Sequence, residues 1–208
     1  PVATAEDWIA RRRGEVLELF REHVYGRVPA AAQRPLEWKL VAEQPVPALR
    51  ATWRRFMLTA RHRDREHSFP VSLFTPEREG AVPLVLLICN RTNVVLEAER
   101  PADDQFWPVA EILRRGYATA AYYVRDVDPD RPDGFARGVR GLFAEGDPKP
   151  DDWGTLAAWA WAASRIVDVL AQLPTIDGRR MAIAGHSRGG KTALWAAAQD
   201  ERFSLACV

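Results

Sequence analysis

Hydrophobic positions fall into distinct periods along the chain, and each change of period marks an element. Residues 4–23 repeat at helical spacing, with Trp8/Ile9, Val16/Leu17 and Leu19/Phe20 as the apolar stripe and Arg11–Arg13 on the wet side. Thr4 with Asp7 three residues on predicts a capping box at its start. Pro29 and Pro35 bracket a loop. Leu36–Ala42 and Arg50–Thr59 alternate, as antiparallel strands do, His62–His67 reads as a solvated charged turn, and Phe69–Phe74 is a third strand. Val82–Cys89 is almost continuously apolar, the mark of a central parallel strand buried on both faces. Phe106–Arg115 reads as a helix ended by Gly116, and Tyr117–Val124 as the next strand.

Asp126–Asp151 has no sustained period and is rich in Asp, Pro and Gly. Loops of that length are usually functional or disordered. This one leaves the C-terminal end of a parallel strand, where open α/β sheets bind ligands, so it is expected to form one wall of a site. A plain surface excursion accounts for the same composition. Asp152 is placed to cap a helix over Trp153–Leu173, apolar on every side across 156–163 and hence a buried crossover. Residues 174–178 then turn the chain into a short strand, Met181–Ala184, followed by a helix, Thr192–Gln199, and a strand, Phe203–Val208.

Between that last strand–helix pair sits Gly185-His186-Ser187-Arg188-Gly189, which fits G-x-S-x-G. In a nucleophile elbow the Ser is held in a strained turn, and the glycines stand where a Cβ would strike the neighbouring strand and helix. The Ser oxygen is then exposed near the positive end of the helix. The same residues also fit the phosphate-cradling pattern G-x-x-x-x-G-K-[ST] through Gly190, Lys191 and Thr192. That chemistry needs an acid at the end of another apolar strand to hold magnesium. Val82–Cys89 ends in Asn90, and Asp126 comes late with Arg125 beside it. The esterase reading is therefore preferred, with a chance Gly-rich turn as the bland alternative. Arg188 and Lys191 add two cations where a helix disfavours them, which suggests a site that meets an anion or a developing oxyanion. The bland alternative is that Lys191 simply points into water. Asn90 or Arg91, in the loop after Val82–Cys89, could bring a second oxyanion donor.

The run from Gly185 through Ser187-Arg188-Gly189-Gly190-Lys191-Thr192 to Phe203 resembles the nucleophile region of the glucuronoyl esterases, carbohydrate esterase family 15, particularly bacterial members. Tyr122–Asp130 with Asp133-Gly134-Phe135, Asp152–Trp161, and Thr4–Trp8 with Val24–Pro29 are similar to the same family. The resemblance thus covers nearly the whole chain. It implies an α/β-hydrolase, a three-layer sandwich with a mostly parallel central sheet, here cut before its last strands as the N-terminal part of a single domain over 1–208. It implies cleavage of (4-O-methyl)glucuronic acid esters linking glucuronoxylan to lignin alcohols, through an acyl-enzyme on Ser187. Arg188 would stabilise the oxyanion, Lys191 would contact the sugar, no metal or cofactor would be needed, and the enzyme would be secreted or periplasmic. Relatives often carry Leu or Asn at the position of Gly189, a departure expected to alter packing under the elbow. An acetyl xylan esterase-like deacetylase and a non-catalytic carbohydrate-binding relative are the alternatives.

Composition narrows this further. The 208 residues are 47% hydrophobic and 27% charged, with net charge +1, so bulk electrostatics favour neither nucleic acid nor a membrane surface. No apolar run reaches the roughly 18 residues of a membrane span. Eight Trp mildly favour a sugar ligand, although a Trp-rich core explains most of them. Cys89 and Cys207 read as small core hydrophobes. His23, His62, His67 and His186 all precede Ser187, whereas this fold orders its triad Ser, acid, His. The catalytic base and acid are therefore expected outside these residues.

Overall fold

The computed structural model describes residues 2–101, 104–131 and 137–208. The stretch Asp133-Gly134-Phe135, part of the family resemblance, lies outside the described residues. The helices are α1 (Ala5–Asp7), α2 (Arg13–Phe20), α3 (Val109–Arg114), α4 (Val124–Val127), α5 (Gly138–Phe143), α6 (Thr155–Leu170) and α7 (Arg188–Gln199). The strands are β1 (Glu37–Val46), β2 (Ala51–His62), β3 (Arg65–Pro76), β4 (Val82–Cys89), β5 (Ala118–Tyr123), β6 (Ile176–Gly185) and β7 (Phe203–Cys207).

One seven-stranded sheet runs β1-β2-β3-β5-β4-β6-β7. β1, β2 and β3 pair antiparallel, as does β3 with β5, whereas β5, β4, β6 and β7 are mutually parallel. β4 is central, and its pleat divides its side chains between two cores. Leu84, Leu86 and Ile88 face the larger cluster, with α6 and α7, and Leu87 and Cys89 face a smaller one with α3. These are the three layers of an α/β sandwich. Small residues allow the close approach of helix and sheet: Ala118, Ala120, Ala157, Ala158 and Ala162 are all essentially inaccessible.

Six of the eight Trp are buried, which settles most of them as core, and each of four finds a partner for its N–H. Trp53 donates to the Leu96 carbonyl, Trp107 to Thr119 Oγ1, Trp159 to the Asp128 carbonyl and Trp161 to the Ala32 carbonyl.

Several expectations change. The capping box forms, with the Asp7 N–H donating to Thr4 Oγ1 at 3.1 Å and the Thr4 N–H to Asp7 Oδ2 at 3.0 Å. The helix it opens is wound more loosely in two stretches, Trp8–Arg12 and Arg21–Tyr25, and its stripe stays largely exposed, with only Leu17 reaching the core. Period alone locates an apolar face without supplying the surface that covers it. Asp152 does not cap α6: the cap is Gly154, without a side-chain bond, and Asp152 Oδ2 instead accepts the Lys149 N–H at 2.8 Å. The β2–β3 hairpin tip is not simply solvated. His62 Nε2 lies 3.0 Å from Glu145 and its ring packs on Phe143, so the tip is docked against the segment after α5. Cys89 is buried as expected, but Cys207 is exposed on β7.

Candidate active site

The turn between β6 and α7 is only two residues long, His186 and Ser187. Ser187 has φ 57° and ψ −119°, a left-handed conformation that costs a non-glycine residue about 1–3 kcal/mol. The hydrogen bonds that impose it are local: the Gly189 N–H donates to the His186 carbonyl at 2.9 Å and the Lys191 N–H to the Ser187 carbonyl at 3.1 Å. The two backbones on either side of the turn nearly touch. A Cβ at Gly185 would stand 2.9 Å from the Gly190 nitrogen and closer still to the Gly189 carbonyl. A Cβ at Gly189 would stand 3.2 Å from the Ile88 carbonyl, so a larger residue at this position requires β4 or α7 to give slightly.

This geometry decides between the two overlapping motifs. A phosphate cradle needs an open loop whose N–H groups point inward. Here the gap is closed by contact between Gly185 and the first turn of α7, and the Gly189 and Lys191 N–H groups are already bonded. What remains is a tight elbow with an exposed Ser187 at its tip. Arg188 occupies the first helical position, where N–H groups have no intrahelical acceptor.

Around the elbow, Asn90 at the end of β4 donates through Nδ2 to the His186 carbonyl at 3.0 Å, so the loop after β4 does reach the site. Arg91 turns aside and lies over the Phe106 ring at 4.6 Å, and His186 packs edge-on to the same ring. Arg188 is exposed at the mouth and forms an ion pair through Nη1 with Asp130. Asp130 belongs to the aperiodic stretch after β5, which therefore does flank the elbow. Its root is fixed by a buried pair: Arg140 donates from Nε to Asp128 Oδ2 at 2.7 Å. Burial raises the Asp128 carboxyl above the ordinary range, with the Arg140 charge and hydrogen bonds opposing. Asp126 is likewise raised by its half-burial, opposed by the charges of His67 and Arg55. Lys191 projects from the first turn of α7 into solvent and forms no ion pair among the described residues.

Structure brings Ser187, Arg188 and Lys191 to one mouth. It adds two residues to which the sequence assigned no role there. Asp130 neutralises Arg188, a long-range pairing that no local pattern announces. Tyr25 donates its hydroxyl to the Lys191 carbonyl at 3.4 Å and stacks on Trp195 with centroids 4.4 Å apart. Among the described residues, none of the four His is hydrogen-bonded to Ser187. His62 and His67 are bonded to Glu145 and to the Asp126 carbonyl, His186 faces Phe106, and His23 stands exposed beside Glu22.

Known proteins are similar to this chain in sequence and in fold. A 4-O-methyl-glucuronoyl methylesterase of Podospora anserina is 40% identical over 209 residues, spanning 98% of this chain and 37% of that protein. A carbohydrate esterase from an unknown prokaryotic organism is 27% identical over 236 residues, 98% of this chain and 54% of that protein. The solved glucuronoyl esterase of Solibacter usitatus superposes with a TM-score of 0.84 at 30% identity, over 99% of this chain and 59% of that one. This chain thus spans roughly half the length, or less, of the relatives it matches. Residues 58–208, which include the whole of β6, the elbow and α7, match the family described as "Glucuronyl esterase, fungi", and the chain belongs to that family.

Proposed function

We propose that the protein takes part in hydrolysing esters of (4-O-methyl)glucuronic acid in glucuronoxylan–lignin linkages, with Ser187 as nucleophile. The observation that carries this reading is the strained Ser187 at the tip of a closed elbow, with Arg188 beside it in a segment that matches the glucuronyl esterase family. Ser187 Oγ attacks the ester carbonyl carbon, and the alcohol leaves with the proton that a general base takes from the Ser. Water then releases the uronate. The oxyanion rests on the guanidinium and N–H of Arg188. Lys191, which forms no ion pair among the described residues and stands at the same mouth, contacts the uronate sugar. Among the described residues no His is hydrogen-bonded to Ser187, so this reading takes the base and its orienting acid from outside residues 1–208. A polymer substrate places the enzyme in a secreted or periplasmic setting. Among the described residues, no helix is long and apolar enough to cross a membrane.

Hydrolysis of benzyl glucuronate is the test, using this chain supplemented with the remaining segment of the Solibacter usitatus enzyme. Activity that disappears in Ser187→Ala is expected. Arg188→Ala should lower kcat about 10²–10³-fold, the usual loss for an oxyanion donor. Lys191→Ala should raise KM on the uronate ester and leave release of acetate from acetylated xylan unchanged. Deacetylation of xylan with no turnover of benzyl glucuronate would overturn the uronate assignment in favour of a deacetylase.

A further inference from the structure

A cleft of 360 Å³ is lined by His67, Arg125, Pro129, Asp130, Arg131 and Arg137. Asp130 is the residue shared with the site, since it also pairs with Arg188. The cleft therefore meets the mouth of the elbow at the Asp130–Arg188 pair. Three guanidiniums line this cleft, and Arg125, Arg131 and Arg137 form no ion pair among the described residues. Among the described residues, the carboxylates nearby are already engaged. Asp130 holds Arg188, Asp128 is fully buried against Arg140, and Asp126 is half-buried within the influence of His67 and Arg55. His67 is fixed by its hydrogen bond to the Asp126 carbonyl at 2.7 Å. The cleft thus presents surplus positive charge on planar donors that match a carboxylate or a phosphate.

We propose that the Arg125–Arg131–Arg137 cleft is a subsite for a second, unesterified uronate carboxylate on the same polymer whose ester is cleaved at Ser187. The identity of the polymer rests on the function proposed above, whereas the anion site itself rests on the cleft alone. A carboxylate is favoured over a phosphate because the cleft shares Asp130 with the ester site, so its occupant belongs to the molecule held there.

Calorimetric titration of the chain tests this without any need for turnover. The probes are three xylo-oligosaccharides with no glucuronate, one free glucuronate and two free glucuronates, at low and at high salt. The doubly substituted probe should bind about tenfold more tightly than the singly substituted one at low salt. The gain should shrink as salt rises and vanish in Arg131→Gln and Arg137→Gln, which change exposed side chains. Equal affinities of the two acidic probes, or a gain that survives both substitutions, would overturn the subsite. Inorganic phosphate that outcompetes both acidic probes would overturn the uronate assignment. Benzyl glucuronate carries no second carboxylate, so its Ser187-dependent hydrolysis judges the ester chemistry separately. The ladder of probes judges the cleft.

Discussion

Three glycines in the chain should respond to alanine in a graded order that the backbone alone dictates. At Gly185 the added Cβ would lie 2.9 Å from the Gly190 nitrogen, with the Gly189 carbonyl nearer still. Non-bonded heavy atoms settle at about 3.5–4.0 Å, so the first turn of α7 must move by at least ~0.6 Å. Every atom in the way is backbone, and no rotamer change can relieve it. The cost should therefore reach the upper end of overpacking, about 3 kcal/mol. For a chain of this size each kcal/mol moves Tm by about 2–4 °C, which gives a drop of ~6–12 °C. At Gly189 the contact is 3.2 Å from the Ile88 carbonyl, a shortfall of a few tenths of an ångström. The expected loss there is below about 1 kcal/mol. Gly14, on the exposed side of α2, has nothing within 4 Å of an added Cβ. Alanine at that position should stabilise by about 0.5–1 kcal/mol through helix propensity. Thermal unfolding followed by far-UV circular dichroism ranks all three. A Gly185→Ala protein that melts within about 2 °C of its parent, or a Gly14→Ala protein that melts lower than it, would refute the reasoning.

Two further outcomes follow from single contacts. Thr119→Val removes the acceptor of the Trp107 N–H at 2.8 Å and the donor to the Val85 carbonyl at 3.1 Å, in a fully buried site. The orphaned N–H should cost about 1–3 kcal/mol by urea unfolding, part of it recovered by adding Trp107→Phe, and an unchanged midpoint would rule this out. The Asp7 carboxyl is held below its ordinary value by the N–H of Ala3 first, then by the Thr4 hydroxyl and N–H. A depressed carboxylate contributes stability that is present above its unfolded value and lost as pH falls through the folded one. Protection of the first-turn amides, taken relative to their intrinsic exchange at each pH, should therefore fall only as pH drops below about 3.8, and Asp7→Asn should abolish that step.

The sheet is legible in the sequence because its signals are local. Val82–Cys89 is apolar at nearly every position since β4 carries core on both faces, and the alternation of Arg50–Thr59 follows from β2 burying one face at a time, Ala51 and Trp53 in one core and Phe56 and Leu58 in the other. Helix ends are less legible. Asp152 has the chemistry of a cap, yet the carbonyl of Tyr25 takes the Gly154 N–H and the backbone of Arg27 bonds to residue 151, so tertiary contacts draw the boundary two residues later. The same contact explains Gly26, whose φ of 82° sets its backbone against Asp152 and Trp153, where no Cβ could fit.

The elbow is legible for a different reason. Its strain is enforced by the close approach of Gly185 and Gly189, and that need for space is written in the two glycines themselves. The charge balance around it is not. Two cations at a helix N-terminus predict an anion without saying which, and the structure supplies a different answer for each. Arg188 already has one in Asp130, delivered by a loop whose period gives nothing away and whose position depends on the buried Asp128–Arg140 pair. Lys191 has none among the described residues and keeps its charge for solvent or substrate. An oxyanion formed at Ser187 would therefore compete with Asp130 for the Arg188 guanidinium. On the function proposed above, the loop after β5, as much as the elbow, would then set how much positive charge the reaction meets.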